Sequence, residues 1–409
     1  VAEKIFYGIF VYLTLPCLVP RGMMKMSVLK VLQIPFSRVV PWYGIDAVPI
    51  ASLPTFSHIQ TPGNDHDDDD ASTNDGGNDD GDFLLACLKE IPSSKACVLY
   101  VHGFPDQSVD HRRRGGGSDE TTPNNPSYGT FSTRMSKKLA EAYTCFCAFN
   151  CSGSPGSTSN TVKFYDKTVS QEVWDVLNVM AYLHQKKGFT GFHVIGLSTG
   201  AIIGSILRGV SHEMLCKLDC GKILSISVIA ACGATSIERA LDFDFDSQQQ
   251  SDFDEMGYCW KQFWLPKNEP NNPEGAVLQS VGDKNDIGET TDESDNNQWV
   301  PHLLKLSSHY RDDFLKLPIG KHVSENPNSK NTVDCDSANN AIPLLVIHGK
   351  ADTNIPFDEG LALYEAAIEP KRFFELPKGN HLLTNSKDLK KAIRAIKEWQ
   401  ELYEERNIQ

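Results

Sequence analysis

Short apolar runs alternate with longer segments of helical periodicity over most of this chain. Phe83–Ile91 and Ala96–Val101 read as two strands flanking a Pro-Ser-Ser-Lys turn. Phe131–Tyr143 predicts a helix and Cys145–Asn150 a strand. Val169, Val173, Val176, Leu177, Met180 and Leu183 then fall on one helical face. Phe192–Leu197 is a short buried strand, and the apolar positions 202, 203, 206, 207 and 210 continue as one face of a helix. Lys222–Ala231 is the next strand. The alternation stops near Cys232 and resumes at Pro343–His348. It ends with a helix over Phe357–Ala367, a strand over Arg372–Leu376 and a closing amphipathic helix carrying Leu389, Ala392, Ile393, Ile396, Trp399 and Leu402. Crossovers long enough to be helical imply parallel strands, so the predicted class is α/β: a mostly parallel, doubly wound sheet with helices on both faces.

The interruption defines the domain organisation. Residues 83–232 and 341–409 make the two parts of one core, and 233–340 is expected to be a cap inserted at the ligand-facing edge of the sheet. The cap is first aromatic and acidic (Phe243, Phe245, Phe253, Tyr258, Trp260, Phe263, Trp264), then of low complexity over Asp283–Asn297. Its aromatics either line a pocket for an apolar substrate, with Trp260, Phe263 and Trp264 as candidates, or form the cap's own core. Residues 63–82 read as an acidic, solvated tract without an EF-hand pattern. Residues 1–62 form an N-terminal segment with scattered strand-like pieces. Its apolar stretch Ile5–Val19 is short for a membrane span and contains Pro16. Three readings stand for it: a signal peptide or anchor, a targeting segment extended by Met23–Val40, or leader upstream of a start at Met23, Met24 or Met26.

Composition changes this picture little. The 409 residues are 40% hydrophobic, enough for a large core. The formal charge is −14, but Asp65–Asp82 holds nine aspartates and no Lys or Arg, which leaves the remainder at −5. The short Arg112–Arg114 cluster is no nucleic-acid footprint. Eleven cysteines without framework spacing favour scattered buried thiols and an intracellular, cytoplasmic setting, with export or organelle targeting through residues 5–40 as the alternative. Cys145, Cys147 and Cys151 lack the partners of a zinc site, and no metal or cofactor is expected.

The candidate chemistry lies in the loops at the carboxyl ends of strands, where parallel sheets place their sites. Gly196–Leu197–Ser198–Thr199–Gly200 puts a serine on the corner between strand and helix, with the amides of the new helix pointing at it. A serine is inert at neutral pH without a base, and the base needs a carboxylate to set its tautomer. His381 follows the last strand and precedes the last helix, and Asp352 is the first carboxylate after the strand before it. The expected catalytic set is Ser198, Asp352 and His381. Donors for a developing oxyanion would be the backbone N–H groups of Thr199 and of Phe104, which follows His102–Gly103.

These pieces resemble the α/β-hydrolase fold, and within it the group containing serine aminopeptidase-like hydrolases, monoacylglycerol lipases and feruloyl esterases. The resemblance is carried by Val101–Phe104, Asn150–Ser157, Gly196–Gly200, Ile347–Pro356 and Gly379–His381, and spans about residues 83–406. It implies a nucleophile at Ser198, an acid at Asp352, a base at His381 and a cap between the sixth and seventh core strands. Leu197 and Thr199 depart from it, standing where many relatives have His and Gln or Met. The function expected is a cofactor-free serine hydrolase acting on a small carboxylic ester with an apolar acyl group. One alternative is a peptidase or amidase on the same residues, with Asp242, Asp244 or Asp246 of the cap holding an amino terminus. Another is a non-catalytic ligand binder.

Overall fold

The computed structural model describes residues 28–35, 83–90, 94–104, 134–143, 145–154, 157, 162–217, 225–266, 275–278, 299–317, 319–324 and 341–406. The apolar stretch over 5–19, the acidic tract over 63–82, the Arg112–Arg114 cluster and the low-complexity run over 283–297 lie outside them.

Among the described residues, eight strands form one sheet: β1 (Val28–Pro35), β2 (Phe83–Glu90), β3 (Ala96–Val101), β4 (Phe146–Phe149), β5 (Gly191–Leu197), β6 (Ser225–Ala231), β10 (Leu344–Gly349) and β11 (Lys371–Leu376). Their order is β1-β2-β4-β3-β5-β6-β10-β11. β2 runs antiparallel to both its neighbours, and every other adjacent pair is parallel. This is the strand order and polarity of the α/β-hydrolase fold. β1 alters the sequence reading. Val28–Pro35 falls inside the stretch taken as an extension of a targeting segment, yet it pairs with β2 along its whole length, Val28 with Glu90 through Pro35 with Phe83. Strand β2 has an outer edge of unpaired amides and carbonyls, and β1 satisfies it.

The parallel strands are apolar on both faces because both are covered. On one face Val98, Tyr100, Ile195, Leu197 and Ile347 pack under α1 (Arg134–Ala142) and α9 (Ser386–Arg406), which bring Met135, Leu139, Ile396 and Trp399. On the other, Leu99, Val101, Val194, Val228 and Val346 pack under α2 (Val169–Lys187), α3 (Thr199–Lys217) and α8 (Phe357–Ala366). Helix α2 shows its stop and start signals plainly. The Thr168 hydroxyl accepts from the Gln171 amide at 3.1 Å, and Gly188 ends the helix in the left-handed region at φ 71°.

Between β6 and β10 the cap folds as α4 (Ile237–Asp244), α5 (Ser247–Met256), β7 (Tyr258–Pro266), β8 (Val277–Leu278), β9 (Trp299–Ser307), α6 (Ser308–Lys316) and α7 (Ile319–Ser324). Its three strands make an antiparallel sheet in the order β7-β9-β8. The cap is latched to the core by Asp313 on α6, which accepts from the Ser170 amide at 2.8 Å and from its hydroxyl at 2.7 Å. The seven described cysteines whose side chains are placed are free and buried. No described helix is long and apolar enough to cross a membrane.

A buried arginine ties three segments together at the amino-terminal edge of β10. Arg208, on α3, donates through Nε, Nη1 and Nη2 to the carbonyls of Ile342, Val323 and Ile368, each at 2.6 Å. Burial lowers its guanidinium to about 10, so it stays charged at neutral pH. Arg208→Met keeps the apolar stem but leaves three carbonyls without their donor. It should cost about 3 kcal/mol of stability, read from urea unfolding; a loss well under 1 kcal/mol would mean that water replaces the guanidinium.

Candidate active site

The corner after β5 is shaped by close backbone approach. A Cβ on Gly196 would sit 2.0 Å from the Gly200 carbonyl oxygen, and one on Gly200 would sit 2.3 Å from the Val101 carbonyl oxygen. Neither position has room for any side chain. Between them Ser198 takes φ 58°, in the left-handed region that side-chain-bearing residues rarely occupy. Its amide donates to the Ala231 carbonyl at 2.9 Å, and its own carbonyl accepts from Ala201 at 2.8 Å, which starts α3. The serine thus stands at the positive end of a helix dipole.

The structure brings Ser198, His381 and Asp352 together from three separate loops. The Ser198 Oγ lies 2.9 Å from His381 Nε2, and His381 Nδ1 lies 2.9 Å from Asp352 Oδ2. The loops carrying His381 and Asp352 are held against each other by backbone contact. A Cβ on Gly349 would fall 2.0 Å from the Gly379 carbonyl oxygen, and the Ala351 amide donates to that same carbonyl at 3.0 Å. Asp352 is saturated with donors. Its Oδ1 accepts from the amides of Asn354 and Ile355, each at 2.9 Å. Its Oδ2 faces His381 and, at 3.4 Å, Nε2 of the buried His348. Burial would raise the Asp352 carboxyl, but the adjacent His348 ring, whose Nε2 also meets the Ile355 carbonyl at 2.9 Å, the His381 hydrogen bond, the charge His381 carries when protonated and the Ile355 amide outweigh it. They hold the group well below the usual carboxylate range.

The Thr199 amide opens α3 beside Ser198, and the Phe104 amide follows the His102–Gly103 turn. Neither is bonded to another described residue. The turn is fixed by His102, whose Nδ1 donates to the Gly103 carbonyl at 2.9 Å while Nε2 accepts from the Cys151 amide at 3.2 Å. This pattern requires the neutral ring, and burial, only partly offset by the Gly103 bond, lowers His102 to about 4. The Cys151–Ser154 turn is pinned in its own right. The Ser152 amide and hydroxyl both donate to Asp175 at 2.8 Å, and the Lys167 ammonium, paired with Glu172 at 2.8 Å, donates to the Ser152 carbonyl at 3.0 Å.

Cap aromatics close over this region, though not in the expected combination. Phe104 stacks on Tyr310 at 4.7 Å between ring centroids and lies 5.7 Å from Phe245; Phe263 meets Phe164 edge-on at 4.9 Å. Trp260 does not join them. On β7 the residues Cys259, Lys261 and Phe263 are buried, so Trp260 projects from the opposite face of the strand, where it packs on Tyr258 and under Lys305. The side chain of Trp264 lies outside the described residues.

The sequence reading missed the groups that support the three central side chains. Among the described residues, Cys232, His348 and Asp352 form one cluster of metal-ligating types, with donor atoms within 4.8 Å of one another and all buried. Asp352 Oδ2 already serves His381 there, so a cation would compete with that bond. Of the three cap acids, only Asp244 reaches the elbow: its Oδ2 accepts from the Thr199 hydroxyl at 3.3 Å. Asp242 is exposed, and Asp246 caps α5 by accepting from the Gln249 amide at 2.8 Å.

No family model matches the chain. Over 41 residues it is 54% identical to the uncharacterised protein YfhR of Escherichia coli K12, and equally to that of strain O157:H7. That stretch is 10% of this chain and spans only 14% of those relatives' length. Solved structures similar to it include Est1E from Butyrivibrio proteoclasticus with ferulic acid bound (16% identity, TM-score 0.45, 78% of this chain and 95% of that one). The esterase domain of a Rhodothermus marinus protein matches at 12% identity and TM-score 0.41, over 91% and 97% of the two chains. Mouse alpha/beta hydrolase domain-containing protein 10 matches at 12% and 0.42, over 78% and 94%.

The left-handed backbone at Ser198 carries a stability cost that substitution exposes. Ser198→Gly should be more stable than Ser198→Ala by about 1 kcal/mol, because only glycine adopts this φ without strain. Urea unfolding of the two variants measures it, and equal midpoints would remove strain from the account of the elbow.

Proposed function

We propose that this protein is a cofactor-free serine hydrolase acting on carboxylic esters with an apolar acyl body. The observation that carries the reading is the unbroken line from Ser198 Oγ through His381 to Asp352, with 2.9 Å at each step. Attack begins as His381 Nε2 takes the Ser198 proton while Oγ bonds to the ester carbonyl carbon. The carbonyl oxygen becomes an oxyanion and meets the Thr199 and Phe104 amides, which are already in place and pay no reorganisation at that moment. Asp352, held as the carboxylate, keeps the Nδ1 proton on His381 and stabilises the imidazolium. His381 then returns the proton to the departing alkoxide. A water enters, gives its proton to His381 and attacks the acyl-enzyme; the acid leaves and Ser198 regains its hydrogen. The rings of Phe104, Phe245 and Tyr310 supply an apolar wall beside this chemistry.

A fluorophosphonate probe tests the nucleophile: the Ser198 oxygen displaces fluoride at phosphorus, and the proton passes to His381. Wild type should label and Ser198→Ala should not, while remaining folded by circular dichroism. Asp352→Asn should lower kcat on p-nitrophenyl esters by about 10⁴-fold, since an amide no longer holds the tautomer. Ester turnover retained by folded Ser198→Ala would end the reading.

A further inference from the structure

The cap brings one carboxylate to the residue that follows Ser198. Asp244 ends α4 of the cap, and its Oδ2 accepts from the hydroxyl of Thr199, the residue whose amide faces the developing oxyanion in the proposed reaction. The carboxylate is only partly buried, and no described residue donates to Oδ1. Lys261, buried on β7, donates to the Asp244 backbone carbonyl and to Gln249 Oε1 at 3.4 Å, and its ammonium lies 4.4 Å from the Phe245 ring centroid. Among the described residues no carboxylate oxygen lies within 4.0 Å of that ammonium. The lysine therefore anchors the end of α4 through its backbone and leaves the Asp244 carboxylate with a vacant acceptor.

An acceptor in this position is unfavourable for a plain alkanoyl ester. A negative charge next to an oxyanion donor opposes the oxyanion, and an apolar substituent against a carboxylate leaves it desolvated and unpaired. A substrate with a hydrogen-bond donor on the carbon next to its carbonyl removes both penalties. With the carbonyl oxygen at the Thr199 amide, that carbon lies one bond away from the carbonyl carbon, on the scale of the Thr199 side chain itself. We propose that Asp244 is a specificity-determining residue that selects acyl groups bearing a donor, hydroxyl or ammonium, at this position. The inference rests on the serine-hydrolase reading above. Burial raises Asp244 to about 6, and the charges facing it are Lys261 from β7, His381 from the loop after β11 and Glu172 from α2. It is ionised above neutral pH, where the test is made.

An isosteric series isolates the effect: p-nitrophenyl esters of isobutyrate, lactate and alanine, which differ only in carrying methyl, hydroxyl or ammonium at that carbon. In the wild type kcat/KM should favour lactate and alanine over isobutyrate by at least about tenfold, the scale of one charge-assisted hydrogen bond to a partly buried acceptor. In Asp244→Asn the alanine-to-isobutyrate ratio should fall by about tenfold or more, while in Asp242→Asn, at an exposed position one half-turn earlier, it should be unchanged. Labelling of Asp244→Asn by the fluorophosphonate shows that its elbow is assembled. A wild type that labels and turns over all three esters equally overturns this inference alone, as does a ratio that survives Asp244→Asn. A wild type that neither labels nor hydrolyses any of them overturns it together with the reading it rests on.

Discussion

The backbone crowding around Ser198 is the constraint from which the rest of the site follows. A strand that must turn into a helix within one residue can do so only if the chain on both sides lacks side chains. Gly196 and Gly200 meet that demand, and Gly200 lets the elbow press against the carbonyls of Val101 and His102 on the neighbouring strand. One contact therefore sets two things at once. It sets the serine at the carboxyl end of the sheet, and it fixes the distance from the serine to the loop carrying Phe104. The same device recurs across the site, where Gly349 meets the Gly379 carbonyl and brings the Asp352 loop against the His381 loop. Parallel strands give these loops a common edge; the glycine contacts bring them to hydrogen-bonding distance.

Buried polar groups then hold what the backbone has placed. His102, Ser152, Lys167, Glu172 and Asp175 form a chain of bonds from helix α2 to the turn before Phe104. Such groups contribute little net stability, since each had water before folding. Their value lies in the cost of breaking them: a turn held by this many buried bonds has no cheap alternative arrangement. An oxyanion site depends on amides that do not move when charge appears, and in the proposed reaction this rigidity would serve the chemistry rather than the melting point.

Much of this was legible in the sequence, for definable reasons. The elbow showed because Gly-Leu-Ser-Thr-Gly lies between an apolar run and a helical periodicity, so local residue types and local structure agree. Asp352 and His381 showed because chain order alone places them after successive parallel strands. Other features depend on parity or register that no local pattern carries. Trp260 and Phe263 look equivalent until β7 is known to be a strand; then their odd spacing puts them on opposite faces. Asp242, Asp244 and Asp246 look interchangeable until α4 ends at Asp244 and α5 begins after Asp246, which turns one outward, one toward Thr199 and one into a helix cap. Val28–Pro35 shows no strict alternation and follows a strongly apolar stretch, and only the unpaired edge of β2 reveals it as a strand.

The cap is where these illegible features concentrate, and this has a physical basis. Core strands are apolar on both faces, so almost any register buries them well and the connectivity decides the fold. The cap sheet has one face on the core and one toward solvent, so its register decides which side chains reach the site. Lys261 shows the consequence. Shifted by one residue it would be an ordinary surface lysine; at its actual parity it is a buried ammonium that fixes the end of α4 and, through it, the carboxylate beside Thr199. In the proposed reading, selectivity therefore rests on the pairing of β7 with β9 in the cap, whereas the Ser198–His381–Asp352 geometry rests on the core. The two meet at the elbow itself, where the bond from the Thr199 hydroxyl to Asp244 is a direct polar link between core and cap.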